Sequence, residues 1–301
     1  MAIIEEIQRY YSRSSMLMRI ILINIAVFVL LKLVAIVGLL LGTGGAGLLD
    51  WVELPSDWLL LLRRPWTLVT YMFVHYNLLH ILFNMLWLYW LGRIFMEFFS
   101  PKQLTAVYLL GGWGGALLYL LAHALLPHFA GAQGYLYGAS ASVIAVVVAT
   151  AVFVPDYKIG LLFLGQVSIK WIAIVTVGID LMGLSTANLG TSIAHIGGAM
   201  VGAWFALRIR DGHDITRPLN AVIDAVAGLF NGRSLSWPRF KRPVRTTRQQ
   251  RGAAMSGHRP ADTVSEEELD RILGKIKAAG YDALSDDEKD KLFKASRRRS
   301  P

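Results

Sequence analysis

Four polar residues set within long apolar stretches of this 301-residue sequence are of the types that amide hydrolysis needs: His80, Asn84, Ser140 and His195. A serine hydroxyl attacks a carbonyl once a neighbouring base takes its proton, and a neutral imidazole both accepts and returns a proton near pH 7. Ser140 can supply the nucleophile and His195 the base. The developing oxyanion needs donors, which His80, Asn84 and the backbone N–H of Ser140 can provide; one such donor is typically worth about 2.7–4 kcal/mol of barrier. His80 and Asn84 are four residues apart and therefore share a helical face. Small residues surround the reactive pair. Gly138, Ala139 and Ala141 flank Ser140, and Gly198 and Gly202 follow His195 on its own face. That spacing is a small-residue seam along which two membrane helices approach closely.

Other chemistries find less support. The sequence has no cysteine, which excludes thiolate catalysis, a disulfide framework and a Cys-based metal site. Its seven histidines lack the HExxH or carboxylate spacing of a metalloprotease, so neither a metal nor another cofactor is expected. Gly111, Gly112, Gly114 and Gly115 lack the Lys-Ser/Thr ending of a phosphate loop and fit close helix packing instead. His75 is placed near the surface, outside the reactive group.

Positioning these residues falls to membrane helices. Hydrophobic residues make up 54% of the chain and charged ones 17%, with a mean hydropathy of +0.47, which favours apolar spans over one large soluble core. Six spans are expected, at about 20–41, 72–98, 104–126, 138–154, 169–184 and 192–209. Spans two, four and six then run in the same sense. The four polar residues near their starts share one layer, roughly 3–18 Å below the ends of their helices.

Lys and Arg set the orientation. Arg9, Arg13 and Arg19 precede span one, Arg93 and Lys102 bracket the second link, Lys158 and Lys170 the fourth, and Arg208, Arg210 and Arg217 follow span six. The alternate links hold only Arg63 and Arg64. Both termini are thus expected in the cytoplasm and the reactive layer toward the outer face. Of the 30 Lys and Arg residues, 20 lie from Arg208 onward. Directly after a membrane helix this is a cytoplasmic flank, so no nucleic acid is expected as a partner.

The fold class is therefore all-α: a polytopic membrane protein with a six-helix bundle and a C-terminal cytoplasmic tail. Residues 1–19 are an N-terminal cytoplasmic segment, 20–210 the membrane domain, 211–262 a basic linker and 263–301 a small helical unit. In that unit Ser265 with Glu268, and Ser285 with Glu288, are capping-box patterns, and Leu269, Ile272, Leu273 and Ile276 form an apolar stripe. A two-helix unit of this size is marginal alone and is expected to dock or to recruit a cytoplasmic partner.

Three motifs in order on spans two, four and six carry a resemblance: His75-x4-His80-x3-Asn84 preceded by Trp66 and Thr70, then Gly138-Ala139-Ser140-Ala141, then Ala194-His195-x-x-Gly198-x-x-x-Gly202. Over roughly residues 60–210 the chain resembles the rhomboid family of intramembrane serine proteases. The resemblance implies a Ser140–His195 dyad with no third acidic residue, and oxyanion donors at His80, Asn84 and the Ser140 backbone. It also implies a site opening to the extracytoplasmic side, with single-span membrane proteins in the lipid bilayer as substrates. The expected location is a bacterial cytoplasmic (inner) membrane. Three positions depart from the family pattern: Ala141 where glycine often follows the serine, Ile144 where an aromatic often stacks on the histidine, and Thr67 where arginine often follows the first-loop Trp66. The alternative is a catalytically silent rhomboid-like protein that binds membrane clients; such relatives generally lose the serine or the histidine, and both are present here. A channel would carry polar residues across the bilayer, yet below Asn84 the chain reads Met85-Leu86-Trp87-Leu88.

Overall fold

The apolar run after Ser15 forms helix α1, Met16–Leu40, in the computed structural model of the chain. The Ser15 hydroxyl caps it by accepting the Met18 N–H at 3.3 Å. The structure describes residues 15–42, 50–161, 165–182, 189–230, 266–279, 284–285, 287–289 and 291–292. The expected N-terminal segment lies almost wholly outside them.

After α1 come a two-residue strand β1 (Leu54–Pro55), the short helices α2 (Trp58–Arg63) and α3 (Thr67–Thr70), and a 3-10 turn at Tyr71–Phe73. Helices α4 (Leu78–Phe98) and α5 (Pro101–Leu125) follow. Pro101 opens α5 without loss of a hydrogen bond, and Ser100 with Gln103 makes a reciprocal capping box. Strand β2 (Tyr135–Leu136) leads into α6 (Ser140–Phe153), which ends before Pro155. A hairpin, β3 (Lys158–Leu161) and β4 (Gly165–Ser168), joins α6 to α7 (Ile169–Met182). Helix α8 is Leu189–Arg210.

Among the described residues four helices, α1, α4, α5 and α8, are long and apolar enough to cross a membrane, and α6 and α7 are shorter apolar helices. The mostly helical, polytopic class is as expected, but the count of six full spans is not reproduced. At 1.5 Å per residue the 14 residues of α6 reach about 21 Å, against about 30 Å of hydrocarbon. Ser140 is the first residue of that short helix, so chain outside α6 occupies the remaining depth. The second expected span also begins later, at Leu78 rather than 72. Residues 67–77 turn inward: the Tyr71 hydroxyl donates to Gly112 O at 2.5 Å, and Tyr71 O accepts the Gly138 N–H at 2.9 Å.

The centre of the bundle is α8 laid against α5 and α6. A Cβ added at Gly197, Gly198, Gly202, Gly111, Gly114 or Gly115 would approach atoms of the facing helices closer than 3.0 Å. Backbone therefore lies directly on backbone along this seam, as the glycine spacing predicted. A polar clasp ties α1 to it: Asn24 Nδ2 donates to the Tyr108 hydroxyl at 3.2 Å, and that hydroxyl donates to Met72 O at 3.1 Å.

The chain divides into two compact units, Met1–Arg239 and Phe240–Pro301. The first ends with helix α9, Arg217–Phe230, inside the stretch expected to be linker. Leu219, Val222, Ile223 and Val226 supply the apolar spacing for that helix, which the basic composition of the surrounding sequence masked. In the second unit, helix α10 is Glu266–Ala279, with Ile272 and Leu284 buried. Ser285 and Glu288 form the expected capping box (Ser285 N–H to Glu288 Oε2 at 3.0 Å, Glu288 N–H to Ser285 Oγ at 3.4 Å). Ser265 lies outside the described residues.

Candidate active site

Helices α6 and α8 bring Ser140 and His195 together: His195 Nε2 is 2.6 Å from Ser140 Oγ, across 55 residues of sequence. The approach depends on the seam beneath it. Gly198 packs on Ala141 O and Gly202 on Ala145 O, one and two turns along the same helix pair. No side chain intervenes between the two backbones, so the imidazole reaches the hydroxyl directly.

Ser140 starts α6, with Ala139 as its N-cap. The amides of the first turn have no intrahelical acceptors, and the helix dipole adds positive potential there. The Ser140 hydroxyl thus sits where backbone N–H groups converge. Gly138, just before, has φ +113°, a conformation open to glycine and strained for other residues. A Cβ at this position would lie 2.9 Å from His80 Cε1, 3.1 Å from His80 Nε2 and 3.7 Å from Ser140 Oγ. The imidazole of His80 and the hydroxyl of Ser140 therefore border one small space, which glycine keeps open. Asn84, buried one turn further along α4, donates through Nδ2 to His80 O at 2.9 Å. That bond uses one of its two amide hydrogens.

His75 is fully buried, at 0% exposure, and does not lie near the surface as the sequence suggested. Its Nδ1 lies 3.3 Å from Phe73 O, and its Nε2 accepts the Ala139 N–H at 3.3 Å. The two contacts select the neutral tautomer with the proton on Nδ1. Burial, then the neighbouring His80, lowers the His75 pKa to about 4, so the ring stays neutral and can keep accepting. His75 thus holds the residue before Ser140, and its ring meets that of His80 edge-on at 5.0 Å.

A shell of loop contacts surrounds these groups, and sequence reasoning did not find it. Strand β1 pairs antiparallel with β2, Leu54 opposite Leu136, next to the Tyr137-Gly138 entry to Ser140. Ser56 N–H donates to Gly134 O at 2.9 Å, and Gly134 N–H to Ser56 Oγ at 3.0 Å. Thr70 Oγ1 donates to Val52 O at 2.8 Å. Trp51 and Trp66 stack at 5.9 Å, Trp66 Nε1 donates to Trp51 O, and Arg64 lies over the Trp51 ring while donating to Asp50 O at 2.9 Å. Arginine at 64, two before Trp66 instead of one after, therefore still fastens the first loop. Glu53 is also buried, and its carboxylate accepts the Tyr76 hydroxyl. Burial, then the charge of Asp50, raises its pKa to about 7.

The other two departures have local consequences. The Ala141 methyl faces α5 at Gly115, where an added Cβ would lie 2.7 Å away. The extra methyl on one helix is accommodated by a glycine on the next. Ile144 is buried one turn below Ser140.

The sequence model of the Rhomboid domain family matches residues 62–211. RHOMBOID-like protein 12, mitochondrial, of Arabidopsis thaliana is 33% identical over 162 residues, covering 50% of this chain and 48% of that protein. Rhomboid protease GlpG of Yersinia pseudotuberculosis is 29% identical over 187 residues, covering 59% of this chain and 60% of the protease. The matched stretch thus covers between 48% and 60% of the length of these relatives.

Proposed function

Because the chain belongs to the rhomboid family, we propose that it is an intramembrane serine endopeptidase cutting transmembrane segments of single-span membrane proteins. The observation that carries this reading is the 2.6 Å contact between Ser140 Oγ and His195 Nε2. In the proposed reaction His195 Nε2 takes the hydroxyl proton as Ser140 attacks the scissile carbonyl. The oxyanion is held by the free amides at the start of α6 and by His80, with Asn84 contributing its second amide hydrogen. The imidazolium then returns the proton to the leaving amine. Water hydrolyses the acyl-enzyme by the same steps. A helical substrate hides its carbonyls in hydrogen bonds, so the segment must unwind to reach Ser140.

The proposed location is a bacterial cytoplasmic (inner) membrane; the placement of Lys and Arg supports both termini inside and the dyad toward the outer face. The C-terminal unit is available to a cytoplasmic partner. The test uses the purified full chain with a model single-span substrate. Ser140→Ala and His195→Ala are each expected to lower cleavage by about 10³-fold or more. Undiminished cleavage by either variant overturns the dyad assignment.

A further inference from the structure

Glu53 is a buried acid beside the site that the proposed reaction leaves unused. Its surroundings are built. It is held in the first loop between Val52, whose carbonyl accepts the Thr70 hydroxyl, and Leu54, which pairs with Leu136. Its carboxylate accepts the Tyr76 hydroxyl. The Tyr76 ring meets Tyr137 edge-on, with centroids 4.6 Å apart and planes at 65°. Tyr137 in turn meets His80 edge-on at 6.2 Å and 64°. His80 also meets His75, which is bonded to backbone through both ring nitrogens. The His80 ring therefore makes two edge-type contacts, with His75 and with Tyr137. His75 is fixed by the backbone; Tyr137 is fixed through Tyr76 and Glu53.

We propose that Glu53 and Tyr76 are positioning residues for the oxyanion side of the site: they hold Tyr137 against His80 and so set the direction in which the His80 donor points. The inference rests on the proposed hydrolytic reading, in which His80 contacts the oxyanion. A donor that acts on developing charge contributes to the transition state more than to the bound substrate, so a loosened His80 lowers kcat and leaves KM in place.

The experiment is steady-state cleavage by the reconstituted full chain, with Ser140→Ala as the blank. The variants are Glu53→Ala, Glu53→Gln, Tyr76→Phe, His80→Ala and the double variant Tyr76→Phe/His80→Ala. Tyr76→Phe and Glu53→Ala are expected to lower kcat about tenfold, less than the roughly 10²–10³-fold of removing a donor outright. Their KM stays within about twofold of the native value. Glu53→Gln keeps an oxygen that accepts the Tyr76 hydroxyl and restores most of the rate. In the His80→Ala background, Tyr76→Phe adds less than about a twofold loss, because the group it orients is gone. A serine-reactive probe and a thermal midpoint check that each variant is folded; Tyr76→Phe, which removes one oxygen, carries the test if Glu53→Ala does not fold.

The tether is overturned if Tyr76→Phe costs the same factor with and without His80, or if its loss falls on KM. Those results leave the dyad standing, provided that Ser140→Ala is dead and His80→Ala is slow. A native rate in His80→Ala removes the oxyanion role and the tether with it.

Discussion

Two kinds of support hold the same pair of side chains. Below Ser140 and His195, helices α5, α6 and α8 meet along glycines and alanines with backbone on backbone. Around the dyad, loops 50–57, 64–77 and 134–139 are held by hydrogen bonds, ring edges and two buried titratable groups. The seam's contacts are mostly backbone and small side chains, so it fixes the distance between Ser140 and His195. The loop shell is made of separable contacts, each with its own cost of loss, and it sets the orientation of the donors. Distance and orientation are thus governed by different parts of the chain.

The largest effect is expected in the seam. Gly198→Val would drive a branched side chain into the Ala141 carbonyl, and backbone cannot swing aside as a side chain can. Overpacking of this kind costs about 3 kcal/mol, and both the thermal midpoint in detergent and labelling of Ser140 by a fluorophosphonate probe should collapse. Gly160→Ala, at a site with nothing within 4 Å, should leave both unchanged. A Gly198→Val protein that melts and labels like the native one would show that the seam does not fix the dyad.

In the loop shell, His75→Ala leaves the Ala139 N–H buried without its acceptor. A lost buried partner costs about 2 kcal/mol, less than the seam substitution. Because it frees the residue before the nucleophile, the loss should appear in kcat as well as in the melting temperature. An unchanged kcat at a lowered midpoint would confine His75 to a structural role.

The sequence carried the seam and the dyad more fully than it carried the shell. Ser140, His195, His80 and Asn84 could be picked out because each is polar within an apolar run, and because alternate helices bring their starts to one layer. The glycines could be picked out because their role depends only on spacing along a helix. The role of His75 could not: the chain from Met72 read as the start of a span, whereas it makes a 3-10 turn there before α4 begins at Leu78. The Glu53–Tyr76 pair joins residues 23 apart across two loops, and no periodicity marks such a contact. The β3–β4 hairpin was hidden for the same reason.

The smallest effect separates Glu53 and His75, two buried titratable groups of the shell that lie outside the spanning helices and act with opposite sign. Glu53 is raised from 4.5 to about 7, so the folded state binds its proton more tightly than the unfolded chain. Its contribution to stability is full below pH 4.5 and is lost as pH rises through about 7. His75 is lowered from 6.5 to about 4, so its contribution is full above pH 6.5 and is lost as pH falls through about 4. Between pH 4.5 and 6.5 the slopes of these two groups oppose, so their contributions partly cancel. Glu53→Gln removes one slope, so its midpoint should climb as pH is raised across that window. His75→Asn removes the other, and its midpoint should fall across the same window. If both variants instead track the native curve, neither group titrates with the shell, and the loops hold the donors by packing in the way the seam holds the dyad.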